Sequence, residues 1–313
     1  MAEKNYSKLD PNYDFSDTEY VVVGSGLGGL TTAVFLAKSG KKVVVLERHY
    51  VPGGFSHTFK RKDGFEWDVG IHYVGGMQDD SMFKKVSNYL TGGRLQWEDM
   101  GEVYDRFLVD NKTYDFVKGP EELKKKFYDY FPEHRSEIDL YFKHIRKASK
   151  RSMRFFASKA LPPILSWTIG AFWRYSFRKY SKQTTWNFLS GITDNHDLKN
   201  LFCGQCGDYG LPPKESSFGV HAIIVNHFID GGFYPVGGAA QIHENMVQEI
   251  IDHGGKVFVR AEVEEILTEG KRAVGVRVNG RDIKVRNVIS NVGMRTTFDT
   301  LLKNKGLSPK QTE

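Results

Sequence analysis

Val21-Val22-Val23-Gly24-Ser25-Gly26-Leu27-Gly28-Gly29 is the stretch whose reading decides the fold. A run of valines leads directly into G-x-G-x-x-G, carried by Gly24, Gly26 and Gly29. Each glycine has a mechanical task. Gly24 permits the tight turn off a strand, Gly26 lets a pyrophosphate approach the backbone, and Gly29 lets helix and strand pack closely. Alone the motif is weak; its setting gives it weight. A strand is predicted over residues 19–24 and a helix over 28–39, with Leu30, Val34 and Ala37 at helical spacing and Gly40 as its stop. A second strand of valine and leucine follows over 42–47. Strand, glycine turn, helix, strand make a βαβ unit, whose parallel strands are buried on both faces.

Outward from this unit, the second strand ends in an acid, Glu47. It lies about twenty residues beyond the first glycine, the spacing at which a carboxylate reaches a ribose hydroxyl. Such a carboxylate repels a 2′-phosphate, which disfavours NADP here. Arg48-His49-Tyr50-Val51-Pro52-Gly53-Gly54 then brings a second glycine pair. Glycines there let a backbone turn run close to an extended dinucleotide instead of starting another repeat. The phosphates of that dinucleotide belong at the free N–H groups and positive dipole end of the helix. The motif does not by itself separate NAD from FAD.

The rest of the chain reads more coarsely. Residues 103–109 and 113–117 alternate around Asp110-Asn111 as a hairpin, and 120–159 is mostly helical in pattern. Residues 161–173 are apolar and aromatic, broken at Pro162-Pro163 and Gly170. Gly237-Gly238 precedes an amphipathic helix to about residue 253. Strands are expected over 256–259, 263–267, 273–278 and 283–290, with Asn279-Gly280 as a type I′ turn. No internal repeat or low-complexity tract is present.

At 313 residues the chain is long enough for two domains, or one with a large insertion. Its net charge of +6 is local in origin. Residues 143–182 hold eleven Lys and Arg and no acid, so the remainder is net acidic. Within that segment, basic residues border the apolar run Leu161 to Trp173, a composition suited to shallow contact with an anionic membrane surface. The competing reading is a pocket lining beside a solvated basic face. Nucleic acid is not expected, because no RNA- or DNA-binding pattern accompanies the charges. Residues 1–19 lack an apolar signal core and no stretch suits a membrane-spanning helix. Two cysteines fit a reducing compartment, so the expected location is cytoplasmic, peripheral on a membrane where the basic segment makes contact.

Residues 21–54, with Glu47 and Gly53-Gly54, resemble the two-dinucleotide-binding-motif flavoproteins, which include amine oxidases and phytoene desaturases. Within that group, Asp68-Val69-Gly70-Ile71-His72-Tyr73-Val74-Gly75 resembles the retinol saturase and carotenoid isomerase branch. So do Cys203-Gly204-Gln205, Gly207-Asp208-Tyr209-Gly210-Leu211-Pro212-Pro213, and Gly231-Gly232-Phe233-Tyr234-Pro235 with Gly237-Gly238. The resemblance covers roughly residues 20–302. It implies an α/β fold: a Rossmann-type FAD-binding domain in two segments, 18–75 and 231–302, around an α+β substrate-binding insertion, 76–230. It implies FAD held by Gly24, Ser25, Gly26, Gly28, Gly29, Glu47, Arg48, Gly53 and Gly54, with Val263 at the adenine and Asn291 on the segment returning to that domain. It implies a hydrophobic polyene substrate, a retinoid or carotenoid, whose C=C bond is reduced by hydride from the flavin, with NAD(P)H as a possible electron donor. A carotenoid isomerase, a desaturase and a non-catalytic dinucleotide- or lipid-binding fragment are the alternatives. Residues 303–313 form a tail that stops short of the family's C-terminal glycine-rich segment. The resemblance therefore implies a fragment, half of a split protein whose C-terminal half is on another chain, or a degraded gene product.

Candidate catalytic residues are His72 and Tyr73, in a glycine-bounded turn after Asp68 and suited to line the flavin or assist a proton; local packing is the plainer alternative. His57, His221 and His227 are further possibilities. Cys203 and Cys206 form one C-x-x-C pair, too few ligands for a tetrahedral zinc site, and no metal site is expected. No G-x-S-x-G elbow supports a hydrolase.

Overall fold

The computed structural model describes residues 5–109 and 111–303 and resolves two compact units. The expected tail lies outside the described residues from 304 onward, as does Asp110 of the expected hairpin turn. Among the described residues, one unit comprises 5–73, 78–98 and 234–303; the other comprises 74–77, 99–109 and 111–233.

The first unit opens with β1 (Ser7–Lys8), β2 (Tyr20–Val23), α1 (Leu27–Lys38) and β3 (Val43–Leu46). β2 and β3 pair in parallel, Val21 opposite Val44 and Val23 opposite Leu46. A small antiparallel pair follows, β4 (Thr58–Lys60) and β5 (Glu66–Asp68). The chain then enters the other unit briefly at β6 (Val74–Gly75) and returns to the first with α2 (Met82–Thr91) and β7 (Trp97–Asp99).

The second unit is mainly helical. Its hairpin is β8 (Val103–Val109) with β9 (Lys112–Val117), as the alternation predicts. α3 (Pro120–Tyr130) starts on a proline, which loses nothing at a helix's first position, and leads into the long α4 (Arg135–Ala157). α5 (Pro163–Leu165) runs through a π turn, Ser166–Gly170, into α6 (Ala171–Ser181). The sequence predicts a break at Gly170; the structure instead carries the helix through it. The bare glycine leaves room for Arg174, whose Nη1 would stand 2.9 Å from a Cβ there and whose Nη2 donates to the Ser166 carbonyl at 3.0 Å. α7 (Thr185–Ser190), α8 (His196–Phe202) and α9 (Phe218–Phe228) complete the cluster, and Gly232 and Phe233 of β10 (Gly232–Pro235) pair antiparallel with β6.

The chain re-enters the first unit with α10 (Ala240–Asp252), β11 (Lys256–Val259), β12 (Val263–Glu269), β13 (Arg272–Val278), β14 (Arg281–Lys284) and β15 (Asn287–Ser290). The main sheet has the order β1-β11-β3-β2-β15, all neighbours parallel. Alternate residues of its central strands serve different cores. Val22, Val43 and Val45 pack with Leu30, Val34 and Ala37 of α1 and Ile242, Met246 and Ile250 of α10. Val21, Val23, Val44 and Leu46 pack with Val263, Ile266, Val276 and Ile283 of the antiparallel sheet β12-β13-β14. Burial on both faces is why these strands read as unbroken aliphatic runs. Here the expected Rossmann-type α/β fold is the observed one.

The single strand expected over 283–290 is two strands in different sheets: β14 pairs antiparallel with β13, and β15 pairs parallel with β2. No glycine or proline marks the change. Asn279 and Gly280 both take positive φ (47° and 75°), as the type I′ reading requires.

Candidate dinucleotide site

The glycine loop between β2 and α1 is a cradle that side chains would fill. A Cβ on Gly29 would lie 2.1 Å from the Gly24 carbonyl oxygen, and one on Gly28 would lie 2.7 Å from Asn291 Oδ1. Gly24 turns off the strand at φ 93°. Asn291, just after β15, is anchored by its N–H to the Val23 carbonyl at 2.9 Å, and its side chain borders Gly26, Gly28 and Gly29. Among the described residues no side chain caps the amino end of α1, and its first turn carries no acid. The end of a 12-residue helix is thus left with unsatisfied N–H groups and a partial positive charge, the environment a pyrophosphate takes.

Glu47 is held at the end of β3 by three donors. Its Oε2 accepts the Ser25 N–H (2.8 Å) and Oγ–H (2.6 Å), and its Oε1 accepts the His49 N–H (2.8 Å). A carboxylate has about four acceptor positions, so Oε1 keeps one for a further hydroxyl. Ser25 is fully buried, and its hydroxyl is committed to holding Glu47. Arg48 is exposed beside it. The main chain of the Glu47 segment is tied to the segment before β12: Ala261 N–H donates to the Glu47 carbonyl and Arg260 N–H to that of His49. Val263, buried and paired with Val278, begins two residues later.

Because all three protein partners of the Glu47 carboxylate donate, Glu47→Gln sets an amide N–H against a donor on one side. The expected result is about tenfold weaker FAD binding, near 1.4 kcal/mol, measured by flavin fluorescence quenching. Unchanged affinity would remove Glu47 from the site.

The second glycine pair comes to the first. Gly26 and Gly53 form an isolated parallel bridge, and a Cβ on Gly54 would touch the Gly26 Cα at 3.0 Å. Gly53 has φ 109°, with the His243 ring 2.6 Å and Ser56 Oγ 2.8 Å from the place a Cβ would take. Ser56 Oγ donates to the Gly53 carbonyl (2.9 Å) and lies 3.2 Å from His243 Nδ1. Burial pushes His243 down to about 4, so it stays neutral as a buttress of this turn. Sequence reasoning missed Ser56 and His243. The signal for His243 is that it falls on the apolar stripe of α10, beside Ile242, Met246 and Val247.

His72 is exposed and Tyr73 half-buried in the loop after β5. That loop packs on the segment after the second glycine pair: Val69 N–H donates to the His57 carbonyl at 3.2 Å, and Gly70 closes on the Phe55 ring. Asp68 accepts a hydrogen bond from the Tyr234 hydroxyl, which joins two sequence motifs far apart in the chain. Burial, then the hydrogen bond to Asp68 and its charge, pushes Tyr234 up to about 12.

The other histidines have different surroundings. His57 Nδ1 bonds the Gly54 carbonyl. His221, in the second unit, is fully buried between the hydroxyls of Tyr141 and Tyr209. His227, in the same unit, accepts the Gly75 N–H at 3.0 Å and is pushed down by burial. Burial also pushes the Cys203 thiol up to about 12, which leaves it a poor nucleophile.

Comparison with known proteins matches this geometry to a family. The chain is 37% identical over 299 residues to the all-trans-retinol 13,14-reductase of Danio rerio, covering 91% of this chain and 49% of that one. It is 27% identical over 311 residues to the chloroplastic prolycopene isomerase of Daucus carota, covering 94% and 49%. The chain thus spans about half the length of the curated relatives it matches. An oxidoreductase from Methanosarcina mazei shares the fold, with a TM-score of 0.64 and 23% identity over 92% of this chain and 62% of that one. A model of the flavin containing amine oxidoreductase family matches residues 27–312, from the first turn of α1 through the second unit and back. With so much of the chain inside that match, the protein belongs to the flavin containing amine oxidoreductase family.

Proposed function

We propose that the chain holds FAD in its first unit and belongs to an oxidoreductase that reduces a C=C bond of a conjugated, retinoid- or carotenoid-like polyene. The observation that carries the reading is the 37% identity to an all-trans-retinol 13,14-reductase over nine-tenths of the chain. The cradle fits the group. Gly24, Gly26, Gly28 and Gly29 with the amino end of α1 would take the pyrophosphate, and Glu47, positioned by Ser25, would take the adenosine ribose. Gly53 and Gly54 would let the backbone pass close to the dinucleotide. Arg48 and Asn291 would flank it, and the Val263 backbone would meet the adenine.

When bound, the flavin supplies a hydride to one carbon of the double bond. His72 and Tyr73 are the proposed protein groups for guiding the matching proton to the neighbouring carbon, His72 through its ring nitrogen and Tyr73 through its hydroxyl. Saturation consumes two electrons, and NAD(P)H is the proposed source. A peripheral membrane contact through residues 143–182 belongs to the same reading, because a lipophilic polyene partitions into bilayers.

A second reading, cis–trans isomerisation without net redox change, is favoured by the 27% identity to prolycopene isomerase. The test is to load the protein with FAD, add dithionite or NAD(P)H, and record product masses with all-trans-retinol and a carotenoid. A product two hydrogens heavier supports saturation, and a rearranged product of equal mass supports isomerisation. FAD-loaded protein that changes neither substrate overturns both readings for this chain taken alone and leaves it a dinucleotide- or lipid-binding part.

A further inference from the structure

We propose that the hairpin of α4 and α6 docks on an anionic lipid bilayer, with the α5–π turn segment inserted among the acyl chains and a basic concavity on α6 taking phospholipid headgroups. This deepens the membrane part of the reading above and is independent of the polyene. α6 lies along α4, fixed by a hydrogen bond from Arg151 to the Ser176 carbonyl (3.0 Å) and by the Phe155 and Phe177 rings, 5.3 Å apart.

The connecting segment and the first half of α6 carry apolar side chains outward. Trp167 is 81% exposed, Ile164 79%, Tyr175 73% and Phe172 67%. Scattered exposed apolar residues need no explanation, but these share one short helical stretch. An α-helix would turn Trp167 and Phe172, five residues apart, to different sides. The π turn at Ser166–Gly170 bonds i to i+5 and brings them closer to one face. Arg174, bonded to the Ser166 carbonyl and hydroxyl, holds that turn.

Beside this face is an open concavity of about 570 Å³ lined by Arg151, Phe172, Tyr175, Arg178, Lys179 and Lys182. Residues 143–182 contain no acid, so these cations lack a carboxylate partner on their own segment. Aromatic and aliphatic side chains for the acyl boundary, rimmed by Arg and Lys for phosphate, are the complement of an anionic bilayer surface. A protein partner would have to match both features at once; a bilayer presents them as its ordinary layers.

The experiment is flotation of the full 313-residue chain with phosphatidylcholine vesicles, with and without about a quarter phosphatidylserine. Wild type is expected to float at least tenfold more with the anionic vesicles. Both Trp167→Ser/Phe172→Ser and Arg178→Glu/Lys179→Glu are expected to lose that excess. All four positions are exposed, and far-UV circular dichroism checks that each variant folds. Lipids brominated in the acyl chain are expected to quench fluorescence in wild type and not in Trp167→Phe, a signal that a purely structural role would not give. Flotation that persists in both double variants overturns this surface while leaving membrane contact standing. No flotation with any vesicle overturns both. A double variant that converts a dimer to a monomer in sedimentation, without changing flotation, assigns the face to a second copy and overturns the proposal.

Discussion

Gly29→Ala will cost the protein its flavin. The added Cβ would lie 2.1 Å from the Gly24 carbonyl oxygen, far inside any tolerated contact, and the opposing atom is backbone. No side chain can swing aside. Either α1 moves away from β2 or the Gly24 turn opens, and both shift the N–H groups that line the cradle. Overpacking of this kind costs about 1–3 kcal/mol when the structure can relax at all. Spent on the site, that range corresponds to roughly 5- to 150-fold in affinity. We expect at least tenfold less FAD retained per chain after washing, read from the absorbance of flavin released on denaturation. Gly207→Ala is the control, because none of the described residues lies within 4 Å of its added Cβ, and it should keep flavin at the wild-type level. Urea midpoints of both variants separate loss of the site from loss of the fold. A folded Gly29→Ala protein with full flavin would show that the loop is not the dinucleotide cradle.

That contact was legible in the amino-acid sequence because the motif is local. Gly24, Gly26, Gly29 and Glu47 lie on one βαβ unit, so spacing alone places them on a common edge. The second glycine pair was legible only as a turn. Its meeting with Gly26 depends on a bridge from Gly53, and its support depends on His243, almost two hundred residues later. No local pattern encodes such a contact. Asp68 and Tyr234 were each legible as parts of motifs, but not their hydrogen bond. The division of 283–290 between two sheets was hidden for a related reason. Val285 still donates to the Val274 carbonyl of the meander while Asn287 already pairs with Tyr20, and the β-favouring composition is the same on both sides of the switch. At Gly170 local reasoning erred in the other direction, because what the glycine accommodates is the returning Arg174 side chain.

Acid will destabilise the second unit at a pH where carboxylates are still ionised, and of the histidines that burial pushes down there, His221 is pushed furthest. Its ring is fully buried in α9, 3.0 Å from the Tyr141 hydroxyl and 3.2 Å from that of Tyr209. Burial pushes it down to about 3. In the unfolded chain the same ring takes a proton near pH 6.5. Between those limits the unfolded state binds a proton that the folded state refuses, so stability is full above about pH 6.5 and falls as pH drops towards 3. One such group gives about 1.4 kcal/mol for each pH unit in that window. Domains are typically stable by about 5–15 kcal/mol, so the loss by pH 4.5 is a large share of the total. The carboxylates that the fold holds low, Asp115 with Arg106 and Asp282 with Arg277, add their own acid loss only near and below their ordinary range. The interval from pH 6.5 to 5 therefore isolates the histidines that burial pushes down, His221 with His144 and His227 of the same unit and His243 of the other, and the His221→Gln variant picks out the share of His221. Urea midpoints at pH 7, 6 and 5 provide the measurement, followed by tryptophan fluorescence, with Trp167, Trp173 and Trp186 all in the same unit as His221. His221→Gln keeps a polar partner for the two tyrosines but cannot charge. It should start less stable at pH 7 and then lose stability less steeply, by about one proton's slope, so that the two curves converge as the pH falls. Parallel curves would mean that His221 is protonated in the folded protein, and a neutral imidazole between the two tyrosines would have to be abandoned.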